Sequence, residues 1–365
     1  MHALPRRSSL AEHTADILRH EIRRGRWRDS LPGEHQLSDE LKVSRSTLRL
    51  ALRALEKEGL FRTHRGSRRT LARAFSRRAA SLRPVVAMVS SIPLHGQSSR
   101  SILVIDELRR HLHRHGLELQ WQAFPQRRNR PDHRQLSRLV EQTRAVCWIL
   151  SSCSSELQKW FSNRSLPTLV LGSCHRDIVL PYVRQDLAAA CRHAVGRLHA
   201  AGHRQIILLM PPMEFAGSIE IEASFSTATA EKAGDIPWGR IFRHQGEAAG
   251  VERALRSALT LNPRPTAAIV MMAEDSLTTH CHLLRLGCSI PREFSLISIL
   301  DDGFLRRTLP ETTRYTIDQR KFARRIVRQV LTLANRTVVP RSISIDPDYI
   351  AGGTLGPAPI RAQSL

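Results

Sequence analysis

Apolar residues recur along residues 43–66 at a helical spacing and are interleaved with polar ones. Four apolar residues follow the i, i+3, i+4, i+7 pattern that places side chains on one side of a helix. They are Leu48, Ala51, Leu52 and Leu55. Ser44 can cap the start of this helix and Gly59 can end it. The pattern therefore predicts one amphipathic helix with a buried stripe.

The opposite side of the same helix consists of hydrogen-bond donors: Ser46, Arg49, Arg53 and Lys57. Arg45 lies at the turn just before it. A helix of this width fits the major groove of DNA, where Arg can bond guanine and hydroxyl groups can reach base edges or phosphates. The pattern alone leaves open an ordinary helix with a solvated charged face.

Two shorter helices are predicted before this one. The first has three inward residues, Ile17, Leu18 and Ile22, and stops at Gly25. The second lies in residues 31–42, with Leu37 and Leu41 inward, and a tight Lys42–Ser44 turn follows it. This order is that of a helix-turn-helix. Residues 59–72 alternate loosely around Gly66, which predicts a two-stranded wing.

From Val85 onwards the pattern changes to short β-rich runs that alternate with longer helical runs. The predicted strands are 85–90, 117–124, 145–150 and 167–172, with helices near 102–116, 136–143 and 157–161. A second series starts near Asp186, with helices 186–202, 247–259 and 276–287 and strands 205–210, 239–244, 267–272 and 294–300. Such alternation predicts parallel sheets wrapped by helices. Two series in one chain imply a cleft between two lobes, at the carboxyl ends of the strands, where α/β sheets bind ligands.

The basic residues are concentrated near the amino terminus. The chain of 365 residues has a formal net charge of +23. Residues 1–84 hold 20 Lys and Arg against 9 Asp and Glu, whereas the remaining 281 residues hold 36 against 24. This asymmetry favours phosphate contacts by the first part. Only five of the 56 basic residues are Lys, so part of the Arg excess is attributed to genome composition.

Several classes of protein are disfavoured. The six Cys form no CxxC pair, as expected of free thiols in a reducing cytoplasm. Neither a signal peptide nor a membrane span is predicted, so we expect a soluble cytoplasmic protein. Motifs of hydrolases, phosphate loops and zinc proteases are absent from the sequence. The pairs His111 with His115 and His280 with His282 are poorly arranged for a metal. We therefore predict no enzyme, no metal site and no cofactor.

The first part resembles the winged-helix domain of the GntR family of bacterial regulators over about residues 9–72. That family has an LPSE turn, then VSRxTVRxAL, then LxxEGL and a wing with glycine. The corresponding stretches here are 31–34 (LPGE), 43–52 (VSRSTLRLAL), 55–60 (LEKEGL) and Gly66. The resemblance implies DNA contact through His35, Ser44, Arg45, Ser46, Thr47, Arg49, Arg65 and Gly66.

Two positions depart from that family. Gly33 replaces a capping Ser, so the start of the second helix loses a side-chain acceptor. His35 replaces an Arg, which weakens one expected DNA contact at neutral pH.

Residues 84–356 resemble the effector domain of LacI/GalR-type repressors, which has the fold of type I periplasmic sugar-binding proteins. The resemblance rests on Asp186 and on residues 198–209, 264–275, 286–298 and 309–315. A GntR-type DNA-binding domain joined to a LacI-type effector domain is the arrangement of the arabinose repressor class. The expected fold is α/β, with an N-terminal winged helix-turn-helix followed by a two-lobed domain with parallel sheets. The expected boundaries are 1–73 for DNA binding, 74–84 for a basic linker, 85–356 for the effector and dimerisation domain, and 357–365 for a tail.

Apolar residues stand at two positions where this family has polar sugar ligands. Ile221 occupies the position of a clamping Arg, and Leu300 that of an Asp. Asp275 keeps the carboxylate of an Asn-Asp pair. Since apolar groups do not bond sugar hydroxyls, a sugar is only one candidate effector.

Polar residues at the predicted strand ends nominate a pocket: Ser91, Ser151, Ser152, Ser173, Asp275 and Asp301. Capping or turn roles for these residues stay open. The sequence therefore predicts a homodimeric transcription regulator, by analogy a repressor, that binds operator DNA under control of a small molecule. The alternative is a DNA-binding regulator whose second domain only dimerises.

Overall fold

The computed structural model describes residues 10–23, 27, 30–62, 69–71, 83–124, 132–231, 238–335 and 341–359. The chain folds as two compact units, residues 1–83 and residues 84–365. Each unit has its own hydrophobic core.

The first unit packs three helices on a short antiparallel ribbon. Its elements are α1 (Leu10–Arg23), α2 (Glu34–Leu41), α3 (Arg45–Lys57), β1 (Phe61–Arg62) and β2 (Thr70–Leu71). The ribbon pairs Phe61 with Leu71 and Arg62 with Thr70. The helix-turn-helix order is thus as predicted, and the two strands form the base of the predicted wing.

The predicted stripe of α3 is confirmed, because Leu48, Ala51, Leu52 and Leu55 are all buried. The helix ends as its sequence indicates. Gly59 has a φ of +74°, and the N–H of Leu60 donates to the carbonyl of Leu55 at 3.1 Å. This left-handed residue after the last turn, closed by that longer bond, is a Schellman motif.

The prediction that Ile17 of α1 points inward is wrong. Ile17 is 39% exposed, whereas Ala15, Leu18 and Ile22 are buried. These three follow an i, i+3, i+7 spacing, and Ile17 lies about 100° around the helix from Leu18. The predicted stop at Gly25 falls outside the described residues.

The second unit consists of two lobes, each with a central sheet. In chain order its elements are β3 (Val85–Ser90), α4 (Ser99–Arg114), β4 (Glu118–Ala123), α5 (His133–Thr143), β5 (Cys147–Ser151), α6 (Ser155–Ser162), β6 (Thr168–Leu171), β7 (Tyr182–Gln185), α7 (Leu187–Ala200), β8 (Ile206–Met210), α8 (Ala216–Ala230), β9 (Gly239–Arg243), α9 (Ala248–Leu259), β10 (Ala267–Val270), α10 (Ala273–Arg285), β11 (Ser295–Ser298), β12 (Thr313–Thr316), α11 (Gln319–Asn335), β13 (Ile343–Ile345) and β14 (Asp348–Ile350).

Lobe 1 contains the sheet β13-β7-β6-β5-β3-β4, in which every described pairing is parallel. Lobe 2 contains the sheet β14-β12-β11-β10-β8-β9, which is parallel except for β14. The α/β class and the parallel sheets are as predicted. In both sheets the strand order reverses beside the first strand of the lobe, which is where α/β folds place ligands.

Each lobe contains further elements that do not belong to the two predicted series of strands and helices. The chain returns to lobe 1 after β12, where Phe322, Ile326 and Val330 of α11 pack in a hydrophobic core of that lobe and β13 extends its sheet. It then crosses back to add β14 to the second sheet. The sequence pattern did not predict β7, α8, β12, α11, β13 or β14. The helix α8 was missed because Ser, Thr and Ala dilute its apolar residues on all sides.

Candidate nucleic-acid interface and interlobe cleft

The amino-terminal end of α3 is exposed and carries several hydrogen-bond donors. Ser44 caps the helix, since its Oγ accepts from the N–H of Thr47 at 3.2 Å. The hydroxyls of Ser46 and Thr47 each lie 2.8 Å from the same Oγ. Arg45 and Ser46 are exposed. A helix start with free N–H groups and nearby guanidinium groups is suited to bind phosphate.

Arg49 is held at this end by a residue that sequence reasoning did not single out. Its Nε donates to Oε2 of Glu34 at 2.8 Å, and Nη2 of Arg69 donates to Oε1 of the same carboxylate at 2.5 Å. The bonds from Arg49 and then Arg69 lower the pKa of Glu34. The side chain of Arg49 remains 62% exposed. Glu34 therefore orients Arg49 and leaves its guanidinium able to reach a ligand. The position of Glu34 in the LPGE turn was the one feature of the sequence that could have indicated its role.

The other predicted DNA-contacting residues lie as follows. His35 is exposed on α2, with Nδ1 2.7 Å from Oδ2 of Asp39. The start of α2 has Gly33 as its cap and no side-chain cap bond, as expected. Arg65 and Gly66 fall outside the described residues. The structure therefore gathers His35, Ser44, Arg45, Ser46, Thr47 and Arg49 on α2 and the start of α3.

A cavity of about 310 Å³ lies between the two lobes of the second unit. It is lined by the segments that follow β3, β5 and β6 in lobe 1 and by those that follow β8, β10 and β11 in lobe 2. A smaller cavity of about 180 Å³ adjoins it and shares Gln97, Arg100 and Ser173 with it. The lining thus comes from the carboxyl ends of the strands, as the fold predicts.

Four of the six residues nominated at strand ends line these cavities. Ser152 and Asp301 line the larger cavity, Ser151 lines the smaller, and Ser173 lines both. Ser91 and Asp275 line neither. The Oγ of Ser91 is buried without a hydrogen-bond partner among the described residues. Asp275 is instead close to a buried histidine, with its Oδ2 3.2 Å from Nε2 of His244.

Asp301 is engaged by a buried arginine. Its Oδ1 lies 2.8 Å from Nε of Arg314, and the two side chains are 9% and 4% exposed. Nη1 of Arg314 also donates to the carbonyl of Thr312 at 2.9 Å and to Oε1 of Glu311 at 2.8 Å. Asp301 therefore compensates a buried charge beside the cavity.

Three charged residues of the larger cavity were not nominated: Arg100, Glu274 and Asp302. Nη1 of Arg100 is buried and bonds to no described atom, and the same holds for Oδ2 of Asp302. Burial lowers the pKa of the Arg100 guanidinium, and the nearby acidic groups only oppose that shift. Arg100 and Glu274 lie in the first turns of α4 and α10. Only residues at the predicted strand ends were nominated from the sequence, and both were therefore missed.

An ion pair joins the lobes at the smaller cavity. Nη1 of Arg184 in β7 lies 2.8 Å from both carboxylate oxygens of Glu220 in α8. The Oγ of Ser173 donates to Oε2 of Glu220 at 2.7 Å. Ile221, expected at a clamp position, is instead fully buried in the core of lobe 2. Its apolar character therefore says nothing about the ligand, whereas Leu300 does line the larger cavity.

The comparisons with known proteins match both units. The gntR family of bacterial regulatory proteins matches residues 10–71, and the periplasmic binding protein-like domain matches residues 195–355. No curated protein matches the chain.

Several solved structures share the fold. A LacI family transcriptional regulator from Bifidobacterium animalis subsp. lactis DSM 10140 has a TM-score of 0.66 and 19% identity, over 75% of this chain and 98% of that one. The Escherichia coli transcriptional repressor ascG has a TM-score of 0.61 and 17% identity, over 75% and 99%. The lac repressor dimer bound to operator and the anti-inducer ONPF has a TM-score of 0.68 and 14% identity, over 78% and 99%.

The two family matches together define a DNA-binding transcription regulator. Within that class, the chain joins a GntR-type helix-turn-helix domain to a periplasmic-binding-protein-like domain of the kind found in LacI-type regulators. None of the helices in the described part is long and apolar enough to span a membrane.

Proposed function

We propose that this regulator is a repressor that binds a two-fold related operator as a homodimer, and that a small molecule in the interlobe cleft changes its operator affinity. Residues 1–73 would read DNA, residues 74–84 would link, residues 85–356 would sense and dimerise, and residues 357–365 would form a tail. Two proteins of similar fold support this proposal: ascG is a transcriptional repressor, which supports repression, and the lac repressor binds its operator as a dimer, which supports two-fold symmetry. A regulator that binds chromosomal DNA would act in the cytoplasm, which we include in the proposal.

The observation that carries the DNA-binding proposal is the two-sided character of α3. One side is fully buried, while the start of the other side presents Arg45, Ser46 and Arg49. Arg can bond a guanine edge in two places and Ser can bond bases or phosphates, so this end would enter the major groove. Arg65 and Gly66 are proposed to contact DNA from the wing.

An exposed apolar stripe on α10 supports dimerisation through the second unit. Leu277 and Leu284 are 36% and 51% exposed, and Cys281 between them is also exposed. Their i, i+4, i+7 spacing places them on one side of the helix. A two-fold related copy of the same helix would cover this stripe, since the surface is then self-complementary.

Arg49→Ala is expected to weaken operator binding by about 1–3 kcal/mol, because it removes a donor aimed at a base edge or phosphate. The operator is first located by a genome-wide binding map, and affinity is then measured by gel-shift titration at fixed salt. Lys57→Ala is the matched control, since Lys57 is exposed in the last turn of the same helix. Equal operator affinities of the Arg49→Ala variant and the unmodified protein would contradict the assignment of α3 to the DNA interface.

The cavity between the lobes supports control by a small molecule. It is large enough for a ligand and contains buried polar atoms without partners, which a ligand would satisfy. Preferential binding to one arrangement of the lobes would then shift operator affinity.

The alternative is that the second unit only dimerises, and Leu300 in the cavity wall favours it. A thermal-shift panel of sugars and metabolites separates the two proposals. A true effector should raise the melting temperature in proportion to its concentration and change the gel-shift affinity. Dimers that bind operator but respond to no compound would support the alternative.

A further inference from the structure

The lobe 1 side of the larger cavity is built to receive an anion. The helix α4 starts there, with Ser98 as its cap and Ser98, Arg100 and Ser101 in the cavity wall. Unpaired N–H groups and the positive end of the helix dipole favour a negative group at such a position. Arg100 adds a full charge, and its buried Nη1 bonds to none of the described atoms.

The lobe 2 side of the same cavity is acidic. Glu274, Asp301 and Asp302 line it. Asp301 forms an ion pair with Arg314, with Oδ1 2.8 Å from Nε but without the alignment of a hydrogen bond, whereas Oδ2 of Asp302 is buried and has neither an ion pair nor a hydrogen bond in the described part of the chain. Glu274 lies in the first turn of α10 and is exposed. Asp302 and Glu274 are therefore available to a ligand.

Opposite charges on the two walls select among classes of ligand. A simple anion would satisfy Arg100 but would face Asp302 and Glu274. A simple cation would satisfy Asp302 and Glu274 but would be repelled by Arg100. A neutral polyol can form hydrogen bonds at both walls, but it brings no charge to either, so Arg100 and the acidic groups then compensate each other only across the cavity. A molecule with an anionic group at one end and a protonated amine at the other supplies hydrogen bonds and charge at both walls.

We propose that the effector is a small amino-acid-like zwitterion, whose carboxylate binds Arg100 and the start of α4 and whose ammonium group binds Asp302 and Glu274. This inference rests on the proposed function, because it assigns a ligand class to the same cleft. The ligand would bridge the two lobes and so stabilise their closed arrangement.

The test uses the full-length protein and a thermal-shift panel followed by calorimetric titration. The arms are the twenty L-amino acids, simple carboxylates, simple primary amines, neutral pentoses and hexoses, and sugar acids. One or more amino acids should raise the melting temperature, and the other arms should not. Arg100→Met and Asp302→Asn should each weaken that binding by about 30-fold or more, because each removes a protein charge that pairs with a charged group of the ligand.

The control variants are Arg109→Met and Asp106→Asn. Both residues are exposed on α4 and neither lines the cavities. They should leave the ligand affinity unchanged. A neutral sugar that binds best, or a bound ligand that is insensitive to Arg100→Met and Asp302→Asn, would overturn the zwitterion and leave control by a small molecule standing. Absence of a shift in every arm would overturn both.

A measurement without ligand tests the same assignment. If Arg100 is an unpaired charge kept for a ligand, Arg100→Met should raise the melting temperature of the ligand-free protein by about 2–4 °C, because it removes a buried cation. Arg109→Met should leave it unchanged. A fall on Arg100→Met would mean that Arg100 is a structural ion-pair partner, which contradicts the proposal.

Discussion

Asp301→Ala is expected to lower the free energy of unfolding of residues 84–365 by about 3 kcal/mol. The guanidinium of Arg314 would lose its buried partner at 2.8 Å while its side chain stays 4% exposed. Removing one member of a buried pair costs more than the pair itself contributes, because the remaining charge is uncompensated. The expected loss is at the lower end of such effects, since Glu311 still contacts Arg314.

Urea denaturation of the full chain, followed by far-ultraviolet circular dichroism and tryptophan fluorescence, measures this loss. Asp302→Ala is the matched control at the next position, because the buried carboxylate oxygen of Asp302 has no hydrogen-bond partner and Arg100, which it faces across the cavity, keeps the nearby charges of Asp301 and Glu274. It should be neutral or slightly stabilising. Similar losses for both variants would show that Asp301 has no special role in holding Arg314.

The outcome bears on the ligand cleft as well. Asp301 lines the larger cavity, so a variant there will also affect any ligand. Because its carboxylate is already engaged, we expect the effect of Asp301 to act through Arg314 and the fold of the segment after β11. Asp302 is the better probe of direct ligand contact.

Leu48→Ala is expected to destabilise the first unit by about 2–5 kcal/mol, the usual cost of a buried Leu that becomes Ala. Leu48 is fully buried in the core of that unit, between α3 and its neighbours. A loss of this size is a large part of the stability of a small domain, so operator binding should fail at a lower temperature. The measurement is a thermal melt of the full chain, paired with gel shifts over the same temperatures.

Leu50→Ala is the control on the same helix. Leu50 is 58% exposed, so its truncation should change the melting temperature little. Equal losses for Leu48→Ala and Leu50→Ala would contradict the orientation of α3, and with it the assignment of Arg45 and Arg49 to the outward side.

The helix α3 shows how much a local pattern can predict. Its buried stripe, its Ser44 cap and its Gly59 end were all predicted, because spacing and capping depend on neighbours within a few residues. The same reasoning put Ile17 of α1 inward, which is wrong. Two adjacent apolar residues do not lie on one side of a helix, and the position of the rest of the core selects Leu18.

The residues of the interlobe cleft could be predicted only in part from local sequence patterns. Ser152, Ser173 and Asp301 were nominated because they follow strands, and they do line the cavities. Arg100 was missed, because the residues next to it in the sequence do not show that it lines a cavity together with acidic residues of lobe 2. Ile221 was read as a cleft residue, and the structure places it in a core.

The alternation of elements, the helix-turn-helix order and the outward donors of α3 could be predicted from the amino-acid sequence, because these follow from hydrophobic period, capping and turn residues. Four further features became visible only in the folded chain: α11 and β13 return to lobe 1, Glu34 holds Arg49, Arg314 pairs with Asp301, and Arg100 faces acidic side chains across a cavity. The reason is physical: burial, pairing and desolvation depend on atoms brought together from distant parts of the chain, and local propensity contains no information about those neighbours.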